Sequence, residues 1–406
     1  MRVCGIARQG AAKRRIGIVQ TLDAGRMTQA AIYLDHNAAA PLLPEAREAM
    51  LAALELTGNP SSIHAHGRSL RHLIETARSR VAGVCGAVPA QVVFTASATE
   101  AITQAVCGSI KAFGVERLIL SAGEHAATTK AAASTGVPLE TIALDGEGRI
   151  ELAALRQALA LADEDGVTAL VCVHSANNET GVVQPIGGIN SLVGPTRHFL
   201  FVDAVQALGK QALDFAASAP DMMAVSGHKI GGIAGAAALL LKSHADTVRL
   251  IPGGGQEQGR RGGTEAVPAI AAFGAAAEAI EARFDLLRVS MLTKKLEAGI
   301  ERLAPDTVIF GRGAERIGNT VAFAVPGVKN TVALMALDLA GVSISSGSAC
   351  SSGKVGRSHV LDAMGVAPEL SEGALRVSLG WSTTDDDIEG FLAAFSTVLS
   401  RRRKAA

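Results

Sequence analysis

From Ile32 onward, short apolar runs alternate with longer stretches whose apolar positions recur at helical spacing. The spacing predicts helices over 44–55, 70–84, 100–113, 152–161 and 264–287, with others after His125 and from Ile186. Pro44 suits a first helical turn. Between them, apolar runs at 92–95, 117–121, 139–143, 169–173, 199–202, 221–225 and 236–241 predict buried strands. Strands that alternate with helices in this way imply a mostly parallel sheet covered on both faces. After the long Ala-rich helix the pattern changes to helices mixed with short strands at 320–324 and 375–379, which predicts a smaller α+β region. The expected division is a large domain over 44–287, with 28–43 and 288–406 forming the small one.

With 406 residues, 48% of them hydrophobic, the chain has ample core for one large or two ordinary domains. Its net charge of zero argues against nucleic-acid binding through a basic surface. No apolar run approaches the roughly 20 residues that cross a bilayer, so no membrane partner is expected. Residues 1–26 carry six basic residues from Arg2 to Arg26 against one acid, Asp23. They read as an extension upstream of a start at Met27 rather than a secretory signal. The five cysteines are scattered without a Cys-x-x-Cys pair, so no metal site is expected and a reducing, cytoplasmic setting is.

In parallel α/β sheets, ligands sit beyond the carboxyl ends of the strands. Those ends deliver Thr99, His125, Asn178, Asp203 with Gln206, and Lys229. A lysine between two buried strands, with Gly-rich backbone after it, suits an amine that loses its proton and forms an imine. Ser97-Ala98-Thr99 opens a helix and offers N–H groups to an anion, although each such residue alone reads as a cap. Together they meet the needs of pyridoxal phosphate: a lysine for its aldehyde, an acid for its ring nitrogen, and a helix start with hydroxyls for its phosphate. An amide suits its phenolic oxygen, and the ring of His125 suits stacking and proton transfer.

With Tyr33-Leu34-Asp35, Gly58-Asn59-Pro60-Ser61-Ser62, Glu124-His125 and Asn177-Asn178-Glu179-Thr180-Gly181, the chain resembles the cysteine desulfurases. These form part of the class V branch of the fold-type I pyridoxal-phosphate enzymes. The motifs continue through Asp203-Ala204-Val205-Gln206, Ser226-Gly227-His228-Lys229, Arg260-Arg261-Gly262-Gly263-Thr264 and Ser345-Ser346-Gly347-Ser348-Ala349-Cys350, so the resemblance runs from about Ile32 to Phe395. It implies that Lys229 is the Schiff-base lysine and Asp203 the partner of the ring nitrogen. Asn178 and Gln206 would bind the phenolic oxygen. Ala98, Thr99, Ser226 and His228 would surround the phosphate, which Thr264 would reach from the other subunit of a homodimer.

Cys350 stands in a Ser/Gly tract, a composition that leaves a thiol free to move. The resemblance makes it the sulfur acceptor, on a mobile loop 345–357, that takes sulfur from L-cysteine and passes it to an acceptor such as an iron–sulfur scaffold. Arg376 lies inside an apolar strand and needs a carboxylate. An internal salt bridge would serve; the α-carboxylate of the substrate, with Asn59 assisting, is the reading preferred here. Ala39, Ala40, Ala266 and Gly356-Arg357 depart from the family pattern without removing a group the core chemistry needs. A selenocysteine lyase, an aminotransferase and a non-catalytic assembly scaffold are the rival readings. An aminotransferase needs no cysteine at 350, and a scaffold needs no Lys229, His125 and Cys350 together.

Overall fold

The computed structural model describes residues 31–218, 220–347 and 357–405. The basic stretch 1–26, and Cys350 with most of the segment 345–357, lie outside the described residues. In chain order the strands are β1 (Ile32–Tyr33), β2 (Val92–Thr95), β3 (Val115–Ser121), β4 (Leu139–Ile142), β5 (Thr168–His174), β6 (Phe199–Asp203), β7 (Met222–Ser226), β8 (Ala237–Leu241), β9 (Val308–Ile309), β10 (Thr320–Ala324), β11 (Val342–Ser343) and β12 (Leu375–Ser378).

Seven of them form one sheet in the order β2-β8-β7-β6-β5-β3-β4. It is parallel from β7 to β4, as the alternation of strands and helices requires. Strand β8 runs antiparallel to both of its neighbours. It follows β7 through a glycine-rich turn with no crossover helix, and a short reversal can only return antiparallel. Successive side chains along each strand go to opposite cores. Val171, Val173, Leu200 and Val202 face one, while Leu170, Cys172 and Phe201 face the other. Both faces are covered, and this is why the strands read as unbroken apolar runs.

The first core also takes helices α1 (Pro44–Leu54) and α2 (Ala65–Val84); the second takes α3 (Ala98–Phe113) and α4 (Ala126–Ala133). Helices α5 (Leu152–Glu164), α6 (Ile186–Val193) and α7 (Val267–Arg283) complete the first layer. The helix expected over 264–287 is not continuous. It ends at Arg283, and α8 (Leu286–Leu303) begins after Asp285, whose carboxylate caps it by accepting from Arg288 N–H at 3.0 Å. Helix α2 starts five residues before the apolar periodicity does, because His64 Nδ1 accepts from Gly67 N–H and caps it.

Strands β9, β10 and β12 form a separate antiparallel sheet. The segment after β1 ties this sheet to the large one. Strand β1 pairs with β11, His36 N–H donates to Ser378 O, and Ala40 N–H donates to His228 O beside the end of β7. Residues 35–40 therefore run through the junction where the strand ends of the large sheet meet β12.

Candidate active site

A cavity of about 320 Å³ opens at that junction. Its lining includes Ala98 and Thr99 from the start of α3, His125 after β3, His174 at the end of β5 and Asn178 after it, Asp203 at the end of β6 and Gln206 after it, and His228 and Lys229 after β7. Arg376 from β12 closes the remaining side. The five strand ends singled out in the sequence thus converge on one space. Ser226 lies just outside the lining, buried, with its hydroxyl 2.8 Å from His228 Nδ1.

The turn that carries Lys229 is set by close packing. A Cβ on Gly227 would come within 2.9 Å of Phe273 Cγ, so only glycine lets β7 turn against α7 here. Lys229 Nζ then reaches the carbonyl oxygens of Asn37 and Ala38, at 2.7 and 2.8 Å. Helix α3 is fixed as firmly. Ser97 Oγ accepts from Glu100 N–H, and Glu100 Oε2 accepts from Ala96 N–H. This reciprocal cap holds the first turn, whose N–H groups beyond it remain suited to an anion.

Asn37 is a hub that the sequence did not reveal. Its carbonyl also accepts from Gln206 Nε2, and its Oδ1 accepts from Lys210 Nζ and Asn319 Nδ2. Lys210 is buried and also donates to Gln206 Oε1 at 2.6 Å. Burial, then the charges of Lys229 and Arg376, hold its amine well below the usual lysine range. The Gln206-x-x-x-Lys210 spacing was the available signal. The carboxamide of Gln206, expected to face a ligand, has both its atoms engaged in this network.

Asp203 is buried, and one carboxylate oxygen accepts from Val205 N–H at 3.0 Å. Burial pushes its pKa up, and the nearby Glu124 adds to this; the Val205 bond, His125 and His174 oppose it. Burial lowers the pKa of His125, with Lys229 and His359 lowering it further and Asp203 opposing. His125 is therefore a neutral base at neutral pH, and its Nδ1 caps α4 by accepting from Ala127 N–H. Burial, Lys229 and Lys210 bring His228 down to about 4.

Arg376 is only 3% exposed. Its Nη1 donates to Asn178 O at 2.9 Å and its Nη2 to Asp35 Oδ1 at 2.6 Å. The internal salt bridge weighed against a substrate role is thus present, and Nε has no hydrogen-bond partner among the described residues. Asn59 is not part of the cavity lining; its Oδ1 accepts from Ser61 N–H in the loop before α2. Thr264 borders a different cavity, with Gly235, Arg261 and Ala266. The described ends of the segment that contains Cys350 meet at Glu179. Ser358 Oγ donates to Glu179 Oε2 at 2.5 Å, and Gly347 packs against the same side chain. Among the described cysteines, burial raises Cys85 to about 12 and Cys172 well above the usual thiol range. Both are inert thiols at neutral pH. No metal-binding cluster occurs among the described residues, and none of their helices is long and apolar enough to cross a membrane.

Residues 32–391 match the Aminotransferase class-V family. The chain is 37% identical to cysteine desulfurase 2 of Trichormus variabilis, an alignment that covers 92% of this chain and 94% of that one. Its fold superposes on a NifS-like protein from Rickettsia africae with a TM-score of 0.83, at 31% identity over 91% of this chain and 99% of the other. A structure of SspA in complex with cysteine superposes with a TM-score of 0.75, at 27% identity over 87% of this chain and 99% of that one.

Proposed function

The chain belongs to the aminotransferase class-V family, and we propose that within it the chain is a cysteine desulfurase: it takes sulfur from L-cysteine, releases L-alanine and holds the sulfur as a persulfide on Cys350. The observation that carries this reading is the convergence of Lys229, His125, Asp203 and Arg376 on one cavity. The likeness to desulfurases over nine-tenths of the chain supports it.

The residues present fit pyridoxal 5′-phosphate. Asp203 is a buried acid in the lining, the start of α3 offers N–H groups to an anion, and Lys229 lines the same cavity. When bound, that cofactor supplies an aldehyde that condenses with amines and a ring that accepts electrons from the substrate carbon frame. Lys229 would hold its aldehyde end, Asp203 its ring nitrogen, and Ala98, Thr99, Ser226 and His228 its phosphate. His125 would lie against the ring, with Asn178 and Gln206 near the phenolic oxygen.

Arg376, which lines the cavity, orients the substrate through its α-carboxylate. Neutral His125, or the amine of Lys229, removes the proton at Cα. The Cys350 thiolate attacks the substrate sulfur and a sulfur–sulfur bond forms. The Cβ–S bond breaks, its electron pair stays with the carbon, and that carbon takes up a proton and leaves in alanine. The persulfide then passes to an acceptor such as an iron–sulfur scaffold. In this reading 44–287 is the cofactor-binding domain, 28–43 with 288–406 is the small domain, and two chains pair so that Thr264 completes the partner's phosphate site in a cytoplasmic homodimer. Incubation with L-cysteine and a reductant should yield alanine and sulfide in equal amounts. Absence of alanine from protein loaded with the cofactor would overturn the reading.

A further inference from the structure

Beside Asp203 lies a buried pair that the mechanism above does not use. His174 and Asp203 are register partners on the parallel strands β5 and β6. Paired positions point to the same face, and both side chains line the cavity. Behind them, Glu124 is fully buried on the loop after β3. Its Oε1 accepts from the backbone N–H of His174 at 2.8 Å and lies 2.7 Å from His174 Nδ1. A carboxylate oxygen can only accept, so Nδ1 carries a proton. This leaves Nε2 as the atom that responds to its surroundings, and it has no hydrogen-bond partner among the described residues. The ring packs closely on Gly123, where a Cβ would come 2.9 Å from its Cε1.

We propose that His174, oriented by Glu124, is a positioning residue that sets the ionisation of Asp203 and so the strength with which the cavity grips a protonated ring nitrogen. The inference rests on the reading that this cavity takes a phosphorylated pyridine. Asp203 sits among Glu124 on the loop after β3, His125 at the start of α4 and His174 on β5, while its neighbour on β7 is Ala224. Lys229, His228 and Arg376 line the rest of the space. Without His174, the carboxylate of Glu124, which raises the pKa of Asp203, would lose its imidazole partner. Two carboxylates left together cannot both ionise easily, so Asp203 would hold its proton and lose its pull on a pyridinium. With His174 present, its ring stands beside Asp203 in the lining, held by Glu124 through Nδ1, and favours Asp203 facing the cavity as a carboxylate.

The test uses the full-length apoprotein and 4′-deoxypyridoxine 5′-phosphate, which has the ring and the phosphate but no aldehyde and so does not depend on imine formation. Ultraviolet absorbance of the bound ligand reports protonation of its ring nitrogen as the pH is raised. Wild type should hold the ring protonated to a pH well above that at which the free ligand loses its proton. His174→Phe should bring that step down by about one pH unit or more and weaken binding about tenfold at pH 8. His174→Gln should do the same where the Phe variant does not fold. Glu124→Gln combined with His174→Phe should recover part of the shift, because the opposing carboxylate is gone. An unmoved protonation step in both His174 variants, even with weaker binding, would overturn the proposal and leave His174 a packing residue. Failure of wild type to bind the ligand at all would overturn the cofactor reading itself, and the proposal with it.

Discussion

Arg376 Nη2 lies 2.6 Å from Asp35 Oδ1, an ion pair that joins positions 341 residues apart. With Nη1 on Asn178 O, the guanidinium is locked in one plane. The pair takes up only two of the five guanidinium N–H groups, so it does not exclude a substrate carboxylate at the cavity that Arg376 lines. Lysine cannot reproduce this, because its ammonium is a point charge without a fork.

Arg376→Lys should therefore lower kcat/KM for L-cysteine about 100-fold, close to 2.7 kcal/mol, chiefly through KM. Asp35→Asn keeps an acceptor but loses the charge, and should raise KM by about tenfold or less. Steady-state alanine formation over a range of cysteine concentrations checks both. A normal KM in Arg376→Lys would return Arg376 to a purely structural role.

His125 acts as a base only when neutral. Burial and nearby cations lower its pKa from 6.5, so its neutral form persists to lower pH than that of a free histidine. The acid limb of kcat/KM should accordingly fall below pH 6.5, with full activity above it. His125→Gln should cost about 100-fold or more in kcat. Activity that halves above pH 7 on the acid side would contradict the assignment.

His36 is buried and neutral, with a pKa near 4 that burial and then Lys210 hold down. The unfolded chain binds a proton there below about pH 6.5, whereas the folded chain does not until pH 4 or so. The stability due to this group is complete above pH 6.5 and falls as the pH drops towards 4, by up to about 3 kcal/mol. Urea melts of wild type and His36→Gln between pH 7 and pH 4.5 should show a smaller acid loss in the variant. Equal slopes would argue against it.

Cys350→Ser should bind pyridoxal phosphate and still change its absorbance on adding L-cysteine, yet form alanine at roughly a hundredth of the wild-type rate or less. Mass spectrometry after a brief exposure without reductant should place one extra sulfur on the peptide with Cys350. Buried Cys85 and Cys172 are poor thiolates. Sulfur found on either one would sink the assignment.

If Thr264 serves the neighbouring subunit, Lys229→Ala and Thr264→Ala chains refolded together should regain activity that neither has alone, because each mixed dimer holds one intact site. A monomer by light scattering at assay concentration would end the idea.

Much of this was legible because buried parallel strands write themselves as apolar runs, and the residues at their carboxyl ends then come together by topology. That Lys229, His125 and Asp203 would meet at one cavity follows from this alone. What escaped depends on contacts between distant segments. The break between α7 and α8 is a local cap at Asp285, overridden by the longer Ala-rich periodicity. The engagement of Gln206 with Lys210 and Asn37 joins side chains that only the folded segment 35–40 brings together. His174 reads in sequence as one more polar residue after a strand. Its meaning comes from Glu124, 50 residues away, and from the register of β5 with β6.

The threading of residues 35–40 against β12 also fixes when in the life of the chain the cavity can exist. Translation delivers Asp35 and Asn37 341 residues before their partners, yet Asp35 accepts from Arg376 and Asn37 N–H donates to Ser378 Oγ. A nascent chain on the ribosome can build the large sheet and lay residues 37–40 against Gln206, His228 and Lys229, but Asp35 has no Arg376 to bond until β12 has emerged. The wall that Arg376 gives the cavity is thereby deferred until β12 has been made, and a chain cut short before β12 would lack it.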